Sequence, residues 1–570
     1  MADYSDSSRS AGEQSPARRA GRYNGLLALP ATHLNILDYH QRSKHRLDRY
    51  APGPGYLDWA SQPDPFRTYA GAPRMVLPLR ADELAIRFEA LRGGALPPPA
   101  PFDLADVAIL FELSLALSAW KEYRGSRWAL RCNPSSGNLH PTESYLITAT
   151  LPGIAAGVHH YLSRDHVLEQ RASVNAPDWD EAFAPGGFYV ALASIHWREA
   201  WKYGMRAFRY CQHDCGHAIT AIAYAAAALG WRVAVATAIG DGELARLIGT
   251  DRDDGFIAEE MEAADVLLWI GAGDAVGDAP RLLRGIETAT WHGHANCLSP
   301  SHVRWNEIED AHVATLKPRT TATASRPAPR PAPPLATGCE ATAAHLMRQR
   351  RSAVAFDGVT TMAADAFHAL LDATLPRPEV PPWPAWPWAP AVHLALFVHR
   401  VRGVEPGLYL LLRDQKALEA LRCGLRAEWL WRKCEPDHLP LYLLAPGDMR
   451  QLAQLISCHQ DIAADSCFSL GMLANFTGVA AQPWRYRQLY WECGMIGQVL
   501  YLEAEAAGLR GTGIGCFFDD EMHELLGVAD LAWQSLYHFT IGAPVDDRRL
   551  TTQPPYAAQR THLASQGEKT

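Results

Sequence analysis

The sequence predicts a chain of mixed helices and strands made of two copies of one domain. Three observations predict it. At 570 residues the chain is too long for a single hydrophobic core. A Pro/Ala/Thr/Arg-rich stretch, residues 317–337, interrupts the globular pattern and reads as an extended linker, because Arg326 to Pro334 offers nothing to bury. A shift of 278 positions, the distance from Arg209 to Arg487, then keeps the two sides in register. It lays Gly216 on Gly494, Gly230 on Gly508, Arg232 on Arg510, Asp241 on Asp519, Glu243 on Glu521, Leu247 on Leu525 and Gly249 on Gly527, without a gap. Such a chain is a dimer written as one polypeptide, burying between its halves what a homodimer buries between subunits.

Taken in order, residues 1–30 form a Ser/Arg/Gly tail without periodicity, expected to be disordered. A first domain is expected over 31–316, a second over 338–549, and a tail over 550–570. Residues 36–50 look helical and carry Tyr39, His40, Arg42, Ser43, Lys44 and His45. Residues 102–120 are apolar at helical spacing. A long helix is expected over 209–229, and strands over 145–149, 232–239 and 266–270. In the second half, a helix at 363–373 is followed by a Pro/Trp-rich loop (381–390) and a strand at 393–398.

Composition excludes several function classes. Apolar residues make up 48% of the chain, as in a soluble globular protein. The net charge of −9 includes no basic stripe, which argues against a nucleic-acid partner. No apolar run reaches membrane-spanning length, and no apolar signal core follows Arg18, Arg19 and Arg22. The eleven cysteines are scattered without a CxxC pair, which suits buried thiols in a reducing cytoplasm.

The loop Arg131-Cys132-Asn133-Pro134-Ser135-Ser136-Gly137-Asn138-Leu139-His140-Pro141 sets small hydroxyls, a glycine and an amide between two prolines. Such a loop brings backbone amides and short side chains close to a flat polar ligand. Cys211-x-His213-x-Cys215-x-His217 invites a zinc reading. On a helix, however, the Cys pair and the His pair face about 200° apart and cannot converge on one ion. Trp291-His292-Gly293-His294 lacks a third ligand. No metal site is expected.

Four elements in order resemble the FMN-dependent nitroreductase superfamily, and within it the SagB-like, thiazole/oxazole-forming dehydrogenases. They are the Pro-Ser-Ser-Gly-Asn-Leu-His-Pro loop, and the Lys202-Tyr203-Gly204-x-Arg206-x-Phe208-Arg209-Tyr210 run leading to Gly216-His217. The others are the Arg350-Arg351-Ser352 start of the second half, and Gly508-Leu509 with Gly513-Ile514-Gly515 and Asp519-Asp520-Glu521. The resemblance covers most of both halves. It implies an α+β fold: two fused nitroreductase-like sandwich domains forming an intramolecular pseudo-dimer, with FMN in the clefts between them.

The halves are unequal, so the resemblance implies one intact site. The first half supplies Pro134, Ser135, Ser136, Gly137 and Asn138 against the flavin ring. The second supplies Arg350, Arg351, Ser352, the Gly515 amide near the flavin N5, and Arg548 and Arg549 on the phosphate side. Val354 stands where many relatives carry Lys or Arg. In the mirror site Thr237 replaces Gly515, and Pro384-Ala385-Trp386-Pro387-Trp388 replaces the Ser/Gly loop. That site, with Arg42, Ser43 and Lys44, is expected to be degraded. Lys202 and Tyr203 match the family's base position, where Arg198 and Arg206 could lower the lysine's pKa; their counterparts are Ala480 and Ala481. The implied activity is hydride transfer between substrate and FMN, with azoline rings of a modified peptide as candidate substrates. Two alternatives stay open: an NAD(P)H-dependent nitro or quinone reductase, and a catalytically decayed binding module of a natural-product pathway.

Overall fold

The computed structural model describes residues 34–252, 255–322, 330, 332–557 and 559. The expected tail at 1–30, part of the Pro/Ala-rich segment and the chain's last residues lie outside them.

Each half is built on an antiparallel sheet. In the first half the main strands are β1 (Leu117–Tyr123), β2 (Ser126–Arg131), β3 (Thr142–Thr148), β4 (Gly157–Leu162), β5 (Val167–Ser173), β6 (Gly187–Ile195), β7 (Arg232–Val235) and β8 (Glu262–Gly271). Its helices are α1 (Ile36–Arg42), α2 (Leu104–Ser114), α3 (His196–Tyr203), α4 (Ala207–Ala228) and α5 (Asp241–Ile248), and α6 (Asn306–Ala314) follows. The second half adds α7 (Ala343–Gln349), α8 (Ala364–Ala373), β9 (Val392–Val398), β10 (Gly407–Leu411), β11 (Leu441–Pro446), β12 (Phe468–Asn475), α9 (Arg485–Ala506), β13 (Arg510–Ile514), α10 (Asp519–Leu526), β14 (Trp533–Gly542) and β15 (Thr551–Gln553). The first sheet runs β5-β4-β3-β6-β8-β7, and the second runs β11-β10-β9-β12-β14-β13. The order of one is the order of the other.

The halves meet along α4 and α9. Every residue of α4 is buried, so the helix has no solvent-facing side and is not amphipathic. Its alanine-rich end, Ala225 to Ala228, has high helix propensity and slim side chains. A Cβ on Gly216 would stand 2.2 Å from the carbonyl oxygen of Trp491, and one on Gly494 the same distance from that of His213. These two contacts are one contact repeated by a two-fold axis, as an isologous interface requires.

Charge repeats the symmetry. Arg209 pairs with Asp519 at 2.7 Å and Arg487 pairs with Asp241, all four side chains buried. The Asp519 amide donates to the His45 carbonyl at 3.0 Å while the His45 amide donates to the Asp519 carboxylate. Lys317 does the same for Asp241: its carbonyl accepts from the Asp241 amide and its amide donates to the carboxylate. Each half thus lends the other an N-terminal arm.

Three sequence expectations are corrected. Residues 36–50 are helical only to Arg42, because the backbone beyond is drawn to Asp519 and bridges Phe518. Residues 102–120 split into α2, capped by the Asp103 carboxylate, and the start of β1; an apolar run alone does not distinguish buried helix from buried strand. Helix α6 packs on α1, with Arg42 pairing Glu307 at 2.8 Å, and Lys317 mirrors His45. Finally, 550–570 is not simply a tail: β15 pairs with β1, and Tyr556 is buried with its hydroxyl donating to the Ser163 carbonyl at 2.5 Å.

Candidate active site between the halves

The 131–141 loop leaves β2 at the seam. Gly137, Asn138 and His140 all have positive φ (58°, 61° and 53°), so the chain turns sharply back on itself. Ser136 donates its amide (3.1 Å) and hydroxyl (3.0 Å) to the carboxylate of Asp214 on α4, and the Ser135 hydroxyl accepts the His140 amide at 2.8 Å. Asn138 donates to the Ala129 carbonyl at 2.9 Å. Pro134 is buried, Ser135 and Ser136 are half-buried, and Gly137 is exposed.

The second half reaches this loop through Arg350. Its buried guanidinium donates to the Cys132 carbonyl at 3.1 Å and the Arg131 carbonyl at 3.0 Å, and lies over the Tyr501 ring. Arg351 donates to the hydroxyl (3.0 Å) and carbonyl (3.1 Å) of Ser118 in β1. Ser352 is exposed; its hydroxyl bonds Tyr501 at 2.8 Å, and Tyr501 accepts the Gly513 amide at 3.0 Å.

Lys202 and Tyr203 end α3 on the other side of the loop. A Cβ on Gly137 would stand 2.5 Å from the Tyr203 hydroxyl oxygen, so glycine here admits the tyrosine as well as the turn. Tyr203 packs edge-on to Tyr210, whose hydroxyl donates to the Gly515 carbonyl at 3.1 Å, and Arg206 donates to the same oxygen. The loop is thus linked to Gly515 through Tyr203 and Tyr210, and to the second half through Arg350 at its entry. His213 stacks on Tyr537 beneath it, and His217 bonds the Tyr537 hydroxyl at 3.1 Å. Burial and the Arg350 charge draw His217 down to about 3, so this floor is neutral.

Other expected members lie elsewhere. Arg548 and Arg549 are exposed, and Arg549 forks onto Asp547 and lies over Tyr123, at the far end of β1 from Ser118. Val354 is 90% exposed. Arg198 binds Glu143 and the His140 carbonyl, and Arg206 binds Asp519 and the Gly515 carbonyl. In the mirror position the Thr237 carbonyl accepts from the Lys317 ammonium at 2.7 Å and the Thr320 hydroxyl at 2.8 Å. Lys44 pairs with Asp520, and the buried Trp383 donates its indole to the Ala373 carbonyl. His213 and His217 both turn to Tyr537, while Cys211 and Cys215 are buried.

Sequence reasoning missed two acids. Burial pushes Asp214 up to about 7 against the pull of its serine donors. Glu199, on α3, is fully buried, and neither carboxylate oxygen has a hydrogen-bond partner. Burial first, then the nearby Asp214 charge, push it well above the carboxylate range, while Lys202 pulls the other way. The register of the halves carried a signal for Asp214: it falls on Glu492, a second buried acid on the matching helix.

A structure from Anabaena variabilis, described as a nitroreductase, superposes with a TM-score of 0.65 over 90% of this chain and 100% of its own, at 22% identity. Residues 413–543 match the profile described as the Nitroreductase family. The chain has the nitroreductase fold. The E. coli microcin synthetase McbBCD complex with truncated pro-MccB17 superposes over 45% of this chain and 88% of its own, with a TM-score of 0.25 and 16% identity. A Ralstonia eutropha protein described as a nitroreductase covers 40% and 97%, with a TM-score of 0.25 and 15% identity. Overlaps that slight carry no argument; the first match spans both nitroreductase-like domains. No curated protein matches the chain. No helix among the described residues is long and apolar enough to cross a membrane.

Proposed function

We propose that this chain is a cytoplasmic, FMN-dependent oxidoreductase of the SagB dehydrogenase type, formed by duplication and fusion, with one flavin site per chain. The observation that carries the proposal is the meeting of Arg350 with the Cys132 and Arg131 carbonyls, which joins the two half-sites.

The residues present fit a flat cofactor that ends in a phosphate. Arg351 is held by carbonyl and hydroxyl oxygens rather than a carboxylate, and burial, then the adjacent Arg350, lower its pKa to about 10. Lys121 is also lowered, by burial and then by Arg351. A cationic cluster whose members repel one another gains most from an anion. Arg351, Ser352 and Lys121 would hold the phosphate, and Pro134 to Asn138 with Gly515 would line the ring.

When bound, FMN supplies a hydride acceptor. The chain's own groups bind, orient and move protons. With its nitrogen as the free amine, Lys202 at the end of α3 would take a proton from a substrate carbon beside the Tyr203 hydroxyl, with azoline rings of a modified peptide as the substrate class. Buried Glu199 and Asp214 behind them provide a place to pass it on.

The test is Ser135→Trp, which sets an indole where the ring would lie. The variant should fold and lose flavin; a variant that keeps flavin as the parent does overturns the placement. Rapid bleaching of bound flavin by NADPH would instead favour the reductase reading, and a chain that never takes up FMN the binding-module reading.

A further inference from the structure

Strand β2 is the outer strand of the three-stranded sheet β15-β1-β2, and it runs straight into the 131–141 loop. The turn before it decides which of its backbone groups face outward. Arg124 and Gly125 both have positive φ (49° and 83°), as a two-residue hairpin turn requires, and Tyr123 stands opposite Ser126. Such a turn closes on a hydrogen-bonded pair. The amides and carbonyls of Ser126, Trp128 and Leu130 therefore face β1, and those of Arg127, Ala129 and Arg131 face away. Side chains from outside the sheet agree with this alternation: the Ala129 carbonyl accepts from Asn138 at 2.9 Å, and the Arg131 carbonyl from Arg350 at 3.0 Å.

Among the described residues, no group pairs with the amide or the carbonyl of Arg127. Arg127 is exposed and Ala129 is buried, so the edge is open at its hairpin end and closes where the loop begins. Its charge is of one sign. Arg127 lies over the Trp120 ring at 4.1 Å and the exposed Arg124 over the Tyr123 ring at 5.2 Å, and among the described residues no carboxylate pairs with either. An unpaired strand edge is a template for another extended chain, and a cationic one favours an acidic chain.

We propose that the outer edge of β2 is where the peptide substrate docks. An extended, acidic segment of it adds to the sheet as a fourth strand, exchanging backbone hydrogen bonds with Arg127 and setting its carboxylates against Arg124 and Arg127. The proposal rests on the peptide reading given under the proposed function and adds to it the surface that holds the peptide. The ring nitrogen of an azoline carries no N–H, so the residues that pair with β2 are unmodified ones flanking the ring. The edge continues into the Pro134 to Asn138 loop, so a segment held at Arg127 is anchored beside the entry to the site. Main-chain pairing tolerates many side chains, as a peptide with several rings in turn requires.

The test is fluorescence anisotropy of a fluorescein-labelled peptide of alternating valine and glutamate, about eight residues long, titrated with the full-length chain. Arg127→Ala removes the charge and keeps the backbone groups. Arg127→Pro removes the outward amide as well, while the bonds between β2 and β1, which Arg127 does not make, persist. Binding is expected in the parent, weaker binding in Arg127→Ala, and a further loss of about tenfold in Arg127→Pro. The same peptide N-methylated at every residue, which needs no variant, should bind the parent at least about tenfold more weakly. The proposal is overturned if the parent does not bind the peptide, if Arg127→Pro binds as tightly as Arg127→Ala, if N-methylation changes nothing, or if the edge pairs instead with a second copy, seen as a dimer that Arg127→Pro dissolves. Flavin content and turnover of a small azoline without a peptide flank are read alongside. If both persist while the peptide fails to bind, the docking edge alone falls; if the peptide binds a chain that takes up no flavin, the edge stands and the oxidoreductase reading falls.

Discussion

Arg350 of the second half donates its Nε–H to the carbonyl oxygen of Cys132 in the first, 3.1 Å away and out of water. With its bond to the Arg131 carbonyl, it fixes the entry to the 134–138 loop from across the seam. Arg350→Met keeps the apolar stem but leaves two buried carbonyls without donors. We expect a loss of about 2–4 kcal/mol in a urea titration, together with weakened flavin retention. Parental stability and flavin content would show that the seam is held elsewhere.

Asp519 is the most heavily engaged acid at the seam, accepting from Arg206 at 2.9 Å and Arg209 at 2.7 Å. Burial opposes its ionisation, but the two guanidiniums win and hold its pKa well below the usual range. Its contribution is therefore present above the ordinary aspartate pKa and lost as pH falls below it. Asp519→Asn leaves two buried cations with no counter-charge and should cost about 3–5 kcal/mol, with less acid sensitivity in what remains. An acid-unfolding curve unchanged from the parent would contradict this.

His160 bridges Glu143 at 2.9 Å and Glu169 at 3.1 Å. Burial lowers its pKa, and the two carboxylates outweigh burial to raise it to about 8. A raised histidine stabilises fully below its unfolded value near 6.5, and that share fades as pH rises through 8. The shift corresponds to about 2 kcal/mol. Thermal melts across this window should show the loss in the parent and not in His160→Gln; parallel curves for the two would rule it out.

Lys202→Ala removes an ammonium from the edge of the cleft and nothing from its floor. Flavin should stay bound while turnover falls by about 10²–10⁴-fold, the range of a lost proton-transfer group. Undiminished turnover would remove Lys202 from the proton path.

Much of this was legible in residues, and the reasons are physical. The spacing of Arg209, Gly216 and Asp241 survives in both halves because a two-fold seam demands the same close approach and the same charge from each side. The Pro134 to Asn138 loop and Arg350 to Ser352 could be found because small and cationic residues cluster there in short runs. What escaped depends on partners distant in sequence. Nothing local in residues 43–50 says that His45 leaves a helix to pair with Asp519. Nothing local in residues 306–317 says that α6 packs on α1 and that Lys317 binds Asp241. Glu199 looks like an ordinary helix-surface acid until burial is known.

The central claim is one composite flavin site from two unequal halves, and the direct measurement is flavin stoichiometry. After reconstitution with FMN and removal of excess, absorbance at roughly 450 nm against protein concentration gives flavin per chain. The account predicts one; two would restore the mirror site, and none would leave the seam without the cofactor assigned to it.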